Sequence, residues 1–322
     1  MKVFYNPKQS VESNKSFSPS AGKPRAAVDS WKQKFPIELC DFTPLTVDQL
    51  KLAHDSKMVD GILNLEIENG FGNTSSEVAA SLPYTSGSIY AAAKYAYEHK
   101  TIACSPTSGF HHAGYNYNGG FCTLNGLMIA AQILQLEDGV ELVGIIDCDN
   151  HFGDGTVDII QKLELRNVIH YTYGANRIKN EKEWLLDFEK RIEDFKHCDV
   201  VIYQAGADPH VDDPLGGNLT TRAMRKRDDI AFRLYERYDV PMAWNLAGGY
   251  QTPLRKVLNL HDNTMESAIK SLERKKETWQ KIKEQVTKYQ NLLIKHFGLL
   301  GVHTANLFQF LLAKKRNKGS NS

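Results

Sequence analysis

The chain has 322 residues, 42% hydrophobic and 24% charged, with a formal net charge of +1 at pH 7. Such a chain can bury a sizeable core, and a single catalytic domain spanning residues 1–322 is expected of an α/β protein of this length. A charge so near zero excludes recognition of nucleic acid or polycations through a global field, so any charged partner must be met locally.

The opening residues, Met1 to Pro7, lack a signal peptide's apolar stretch, and no run approaches the roughly 18 apolar residues of a membrane span. A soluble, cytoplasmic protein is expected. The next segment, residues 8–30, is rich in Ser, Lys, Pro and Asn and reads as a surface loop, either bordering a substrate entrance or inert. Five cysteines, Cys40, Cys104, Cys122, Cys148 and Cys198, form no C-x-x-C pair and are odd in number, so reduced thiols are expected.

From Thr101 onward, short apolar runs alternate with polar or Gly-containing turns and helix-like segments. This rhythm predicts βαβ units, hence an α/β fold in three αβα layers around a central, mostly parallel sheet. The expected strands are Thr101 to Cys104, Leu142 to Ile146, Val168 to Tyr171, Val200 to Tyr203 and Met242 to Leu246; Leu124 to Leu136 and Thr221 to Tyr238 read as crossover helices. Residues 263–322 read as C-terminal helices and a basic tail. There Ile282, Val286, Tyr289, Leu293 and Phe297 recur at helical spacing, with Gly298 as a stop signal.

Four expected strands are followed by polar clusters: His111-His112, Asp147 to Asp154, Asp208 and Tyr250. In a parallel sheet the carboxyl ends of the strands face one crevice, so these distant residues can share a site. Within Asp147-Cys148-Asp149-Asn150-His151, an i, i+2 spacing in extended chain sends Asp149 and His151 to one side. A carboxylate and an imidazole suit zinc, Asp208 is the natural third ligand, and a fourth position left open makes such a site catalytic. Asp147 and Asp154 remain as partners for two histidines, and a His-Asp pair beside a metal-activated water is the apparatus of acid/base hydrolysis. Glycines before Tyr250 let its phenol approach an oxyanion, or make a plain turn. Gly120 and Phe121 are a turn before a helix, or an aromatic wall at the site.

Together these pieces resemble the histone deacetylase and acetylpolyamine amidohydrolase family of the arginase/deacetylase superfamily, most clearly over residues 54–262. The resemblance rests on Gly109-Phe110-His111-His112-Ala113, Gly120 to Asn125, Asp147 to Thr156, Gln204 to Asp208 with Asp213 to Gly217, and Gly248-Gly249-Tyr250. It implies one zinc ion on Asp149, His151 and Asp208, and His112 as general base. It also implies His111 as its companion, Asp147 and Asp154 as the respective partners of His111 and His112, and Tyr250 as the residue polarising the amide carbonyl. Phe121 is implied to wall a tunnel for the substrate's aliphatic stem; the opposing wall has no match between Tyr173 and Trp184.

The resemblance also implies departures. Phe152 stands where the family has histidine and is expected to alter packing beside the metal. Ala247 replaces a glycine and is expected to stiffen its loop. His170 occupies the place of a serine that helps to bind potassium, which sets the chain against a potassium site. The implied activity is removal of an acyl group, most simply acetyl, from an acylated lysine of a peptide or protein. An acetylpolyamine or other acylated small amine is the alternative substrate. A non-enzymatic acyl-amine binder and an arginase-like two-manganese hydrolase are the rival classes.

Overall fold

The computed structural model describes residues 1–13, 15–175 and 180–317, with side-chain surroundings up to residue 292 except at Ala175. Its strands are β1 (Lys2–Phe4), β2 (Glu38–Cys40), β3 (Ile102–Cys104), β4 (Val143–Asp147), β5 (Val168–Thr172), β6 (Val200–Gln204) and β7 (Met242–Asn245). They form one seven-stranded sheet in the order β2-β1-β3-β7-β6-β4-β5, and every pairing is parallel. Every residue of β3, β4, β6 and β7 is buried. Strands buried on both faces require helices on both sides, which makes the three layers expected from the sequence.

The helices are α1 (Lys23–Lys34), α2 (Val47–Leu50), α3 (Ser56–Leu63), α4 (Ser76–His99), α5 (Gly126–Glu137), α6 (Asp154–Lys162), α7 (Glu181–Arg191), α8 (Thr221–Tyr238) and α9 (Arg255–Asn317). Each of the five expected strands and both expected crossover helices is present, with ends shifted by at most two residues. Helix α5 is buried over most of its length because Leu127, Met128, Ile129, Ala130, Ile133 and Leu134 join the core beneath the sheet. Asn125 caps it, its side chain accepting from the Met128 N–H at 3.2 Å.

Two expectations are corrected and two strands are added. Residues 8–30 are not loop throughout: Pro7–Gln9 form a 3-10 turn, and α1 begins at Lys23. Pro24 pre-sets the first helical turn, and Ala27, Val28 and Trp31 bury one face despite the polar composition. Gly298 does not stop the last helix, whose backbone runs on to Asn317. A glycine inside a helix costs only about 1 kcal/mol and ends it only where the chain turns left-handed. Strands β1 and β2, absent from the sequence reading, are three residues each, too short to show a period.

The chain divides into two compact units, Met1–Ile269 and Lys270–Ser322. The first contains the sheet and all the site residues; the described residues of the second, 270–317, are helical. The side chains of the apolar stretch from Leu299 to Ala313 and of the basic residues after it lie outside those described, as do residues 176–179 within the segment after β5. Among the described residues no helix is long and apolar enough to cross a membrane. All five cysteines are free, and Cys104 and Cys148 are fully buried.

Candidate metal centre

The site forms where β3, β7, β6 and β4, neighbours in the sheet, end. The loop from β4 to α6 carries Asp147, Asp149, His151 and Asp154; the loops after β3, β6 and β7 carry His111-His112, Asp208 and Tyr250. Asp149 and His151 do not converge through extended backbone as their spacing suggests. The Asp147 carboxylate accepts the Asp149 N–H at 3.1 Å, and the Asp149 carboxylate accepts the His151 N–H at 3.0 Å. Two successive side-chain turns of this kind fold the loop tightly.

One ligand atom each of Asp149, His151 and Asp208 lies within 4.8 Å of the others, the one His/Cys/Asp/Glu group with such spacing among the described residues. His151 Nδ1 is 3.1 Å from both Asp149 Oδ1 and Asp208 Oδ2. Both carboxylates are buried. Burial, and then the neighbouring Asp149 charge, push the Asp208 carboxyl up to about 8. Hydrogen bonds to Asp149 and Asp208 push His151 up to about 11. Two buried carboxylates that hold a proton on the imidazole between them are short of a cation, and an imidazole with two carboxylates is a donor set zinc accepts. Zinc fits the residues present.

Backbone groups hold the carboxylates in place. Asp149 Oδ2 accepts the Gly248 N–H at 2.8 Å, and Asp208 Oδ1 accepts that of Asn150 at 3.2 Å. A Cβ on Gly248 would stand 2.5 Å from Asp208 Oδ2 and 2.6 Å from Asp149 Oδ2, so only glycine lets this strand end approach the ligands.

His111 Nδ1 is 2.7 Å from Asp147 Oδ2, and His112 Nδ1 is 2.5 Å from Asp154 Oδ1. The two imidazoles are 4.1 Å apart, and that of His112 is 5.8 Å from that of His151. They are electrostatically distinct. Burial disfavours charge on His111, but Asp147 and Asp149 outweigh it and raise the group to about 9. His112 is lowered, by burial and by His111 beside it, against the pull of Asp154. The pair thus divides into a charged member and a neutral member able to accept a proton. The Asp147 carboxylate is satisfied further by Gln204 Nε2, which donates to Oδ1 at 2.9 Å.

Tyr250 donates its backbone N–H to Asp213 Oδ2 at 2.8 Å, and its ring lies 5.6 Å from that of Phe121. Burial and the charges of Asp149 and Asp208 raise the phenol, so it stays protonated. Gly120 brings Phe121 to the site: both have left-handed backbones, and a Cβ on Gly120 would meet His112 Cδ2 at 2.5 Å. Phe17 and Phe71 pack on Phe121 with ring centroids 5.2 and 6.0 Å away. The segment before α1 therefore reaches the site. Phe17 touches Phe121, Ser20 is set beside the Tyr250 phenol, and fully buried Lys23 donates from Nζ to the Ala247 carbonyl at 2.5 Å. Burial lowers Lys23 to about 8, against the pull of Asp208 and Asp149.

Two departures take a different form from that expected. Phe152 is 42% exposed and directs much of its ring to solvent rather than into packing beside the ligands. Ala247 adopts a left-handed backbone, φ 51°, where an alanine carries strain. At the potassium position, a Cβ on Gly153 would lie 2.7 Å from Asp147 Oδ2 and 3.4 Å from His170 Nε2, a buried nitrogen without a hydrogen-bond partner among the described residues. Hard cations take oxygen ligands, and an imidazole stands there instead; potassium does not fit.

Sequence reading missed three supporting residues, Lys23, His54 and Arg227, and placed Gln204 in a motif without giving it a role. His54 is buried; its Nδ1–H donates to the Gly114 carbonyl at 2.8 Å and its Nε2 accepts the Asn125 N–H at 2.8 Å, tying the loop after His111-His112 to the start of α5. Burial lowers it to about 4 from an ordinary 6.5. The folded state therefore binds this proton less tightly than the unfolded state. Stability is fully present above pH 6.5 and is lost as pH falls towards 4, by about 3 kcal/mol at most from this group. His54→Gln should flatten the pH dependence of the urea midpoint across that window; an unchanged slope would exclude His54 as its source.

A profile of the histone deacetylase domain matches residues 22–172. Residues 22–172 thus carry a histone deacetylase domain. Histone deacetylase 2 of Arabidopsis thaliana is 28% identical over 195 residues, 53% of this chain and 50% of that protein. Acetylpolyamine amidohydrolase 1 of Pseudomonas aeruginosa is 44% identical over 59 residues, 18% of this chain and 16% of that one. The chain thus spans half the length of the Arabidopsis relative and 16% of the Pseudomonas one. The fold is that of the crystallised HDA15 HD domain, with a TM-score of 0.68 at 19% identity over 89% of this chain and 99% of that domain.

Proposed function

We propose that the protein is a zinc-dependent deacylase that cleaves an N-acyl amide, releasing a carboxylate and a primary amine, and that its substrate is an acylated lysine in a peptide or protein. The observation that carries this reading is the convergence of Asp149, His151 and Asp208 within 4.8 Å, with the His112–Asp154 pair beside them. Zinc held by these three residues supplies Lewis acidity at the amide carbonyl and makes water acidic enough to attack near neutral pH. His112, held through Nδ1 by Asp154, takes the water's proton at Nε2; its lowered affinity for protons keeps it free to do so. The Tyr250 phenol donates to the oxyanion that develops as the carbonyl is attacked. A charged His111 stands ready to balance that oxyanion and, with His112, to deliver the proton to the leaving amine. The histone deacetylase domain and the donor set support this reading, and activity lost on chelation and restored by zinc tests it.

The preference for lysine rests on the wall of the site. Phe17, Phe71 and Phe121 present rings there, and Lys15 is two residues from Phe17, a setting that suits a neutral aliphatic stem better than a polycation. Phe17→Ala should raise KM for an acetyl-lysine peptide about fivefold to thirtyfold, the value of one buried aromatic contact, with kcat within about twofold. An unchanged KM would remove Phe17 from the substrate path. The acylated polyamine reading is favoured by the short 44%-identical stretch shared with acetylpolyamine amidohydrolase 1. Turnover of acetylspermidine and of the peptide under identical conditions decides between them. A cytoplasmic location remains part of the proposal.

A further inference from the structure

Beyond the last paired residues of β4 and β6, Asp147 and Gln204, the sheet stops holding the two loops that carry the acidic ligands. One rung follows, from the Cys148 N–H to the Gln204 carbonyl at 2.9 Å. Next comes a side chain. Arg227, on the second turn of α8 and 0% exposed, donates from Nη1 to the Cys148 carbonyl at 3.2 Å and to the Gly206 carbonyl at 2.7 Å. Cys148 immediately precedes Asp149, and Gly206 is two residues before Asp208.

We propose that Arg227 is a positioning residue for the metal ligands, its guanidinium bracing the β4 and β6 loops so that the Asp149 and Asp208 carboxylates stand at the separation zinc requires. The inference rests on the zinc reading above and adds a residue to it.

The opposite side of the guanidinium is anchored. Nε donates to Asp228 Oδ1 at 2.9 Å, and Nη2 lies 2.8 Å from the same oxygen. Asp228 is itself held by the Tyr203 hydroxyl at 2.5 Å and by Thr264 Oγ1 at 2.6 Å. Burying a guanidinium is costly, and an apolar side chain would fill the same volume with less desolvation. What an apolar side chain lacks is a planar fork with nitrogens at fixed angles, one set on its anchor and another bridging two carbonyls. Outer groups that orient ligands in this way are typically worth about 10–100-fold in metal affinity.

Three proteins separate bracing from bulk stability. Arg227→Lys keeps a cation beside Asp228, but one ammonium cannot reach Asp228 and both carbonyls as the separated Nε and Nη1 do. Asp228→Asn weakens the anchor and leaves the brace. Zinc affinity is read by competition with a chromogenic chelator, and the melting temperature of each metal-free protein by calorimetry. The expected result is a loss of zinc affinity of about 10–100-fold in Arg227→Lys, and a change of less than about threefold in Asp228→Asn despite an equal or larger fall in melting temperature. Wild-type affinity in Arg227→Lys would overturn the proposal. So would equal affinity losses in both variants, since affinity would then follow stability alone. A wild-type protein that takes up no zinc, seen before any variant is made, overturns the metal reading and the brace together.

Discussion

Asp208→Asn should lose at least about a hundredfold in zinc affinity, and with it nearly all amide hydrolysis, while the metal-free protein melts no lower than the wild type. The first part follows from removing an anionic ligand from a set of three; even groups outside the ligand set are worth about 10–100-fold. The second follows from electrostatics in the absence of metal. Asp208 is fully buried beside Asp149, and burial first, then the charge of Asp149, raises its carboxyl to about 8. A neutral amide of the same shape keeps an oxygen for the Asn150 N–H and relieves that repulsion. The wild type should then gain more melting temperature from added zinc than the variant does. Wild-type turnover by Asp208→Asn, or a collapse of the metal-free protein, would remove Asp208 from the ligand set or assign it a folding role instead.

His112→Ala and Tyr250→Phe should each lower kcat by about 10²–10³ while zinc content stays at the wild-type level. Neither side chain is a ligand. His112 is tied to Asp154, and Tyr250 is anchored by its backbone to Asp213, so substitution leaves the triad standing. The two losses should differ in pH dependence. Without His112 the rate should climb with pH, as hydroxide replaces the missing base; without Tyr250 the wild-type profile should persist at reduced height, because the phenol stays protonated throughout. Near-normal turnover by either variant would overturn its role.

The sequence made much of this site legible because its parts are short-range signals repeated at strand ends. Each of β3, β4, β6 and β7 is a run of buried residues, and each is followed by the polar cluster that the topology then gathers. The less legible parts are tertiary. Lys23 and Ser20 lie in a polar segment whose composition signals solvent, yet both are buried against the site; only Pro24, marking a helix start, hints otherwise. Arg227 had a signal in its register: Ala223, Met224, Ile230, Ala231 and Leu234 mark the buried face of α8, and Arg227 falls in the same stripe. A charge at an apolar position is a question about its partners, and the spacing poses it without answering it. His54 carried no such signal, because its two hydrogen bonds go to backbone groups 60 and 71 residues away.

The strand order has a consequence for how the protein is made. β7 lies between β3 and β6, so until Met242–Asn245 emerge the sheet is two separate ribbons, β2-β1-β3 and β6-β4-β5. The ribbon completed by residue 204 brings the Asp149 and His151 loop beside the strand end that leads to Asp208; the other bears His111 and His112. Until β7 pairs, the Gly248 N–H that holds Asp149 Oδ2 is not in place, so one strand completes both the acidic loops and their approach to the histidine pair. The strand that leads to Tyr250 is thus the piece that joins the two halves of the sheet and the residues each of them bears.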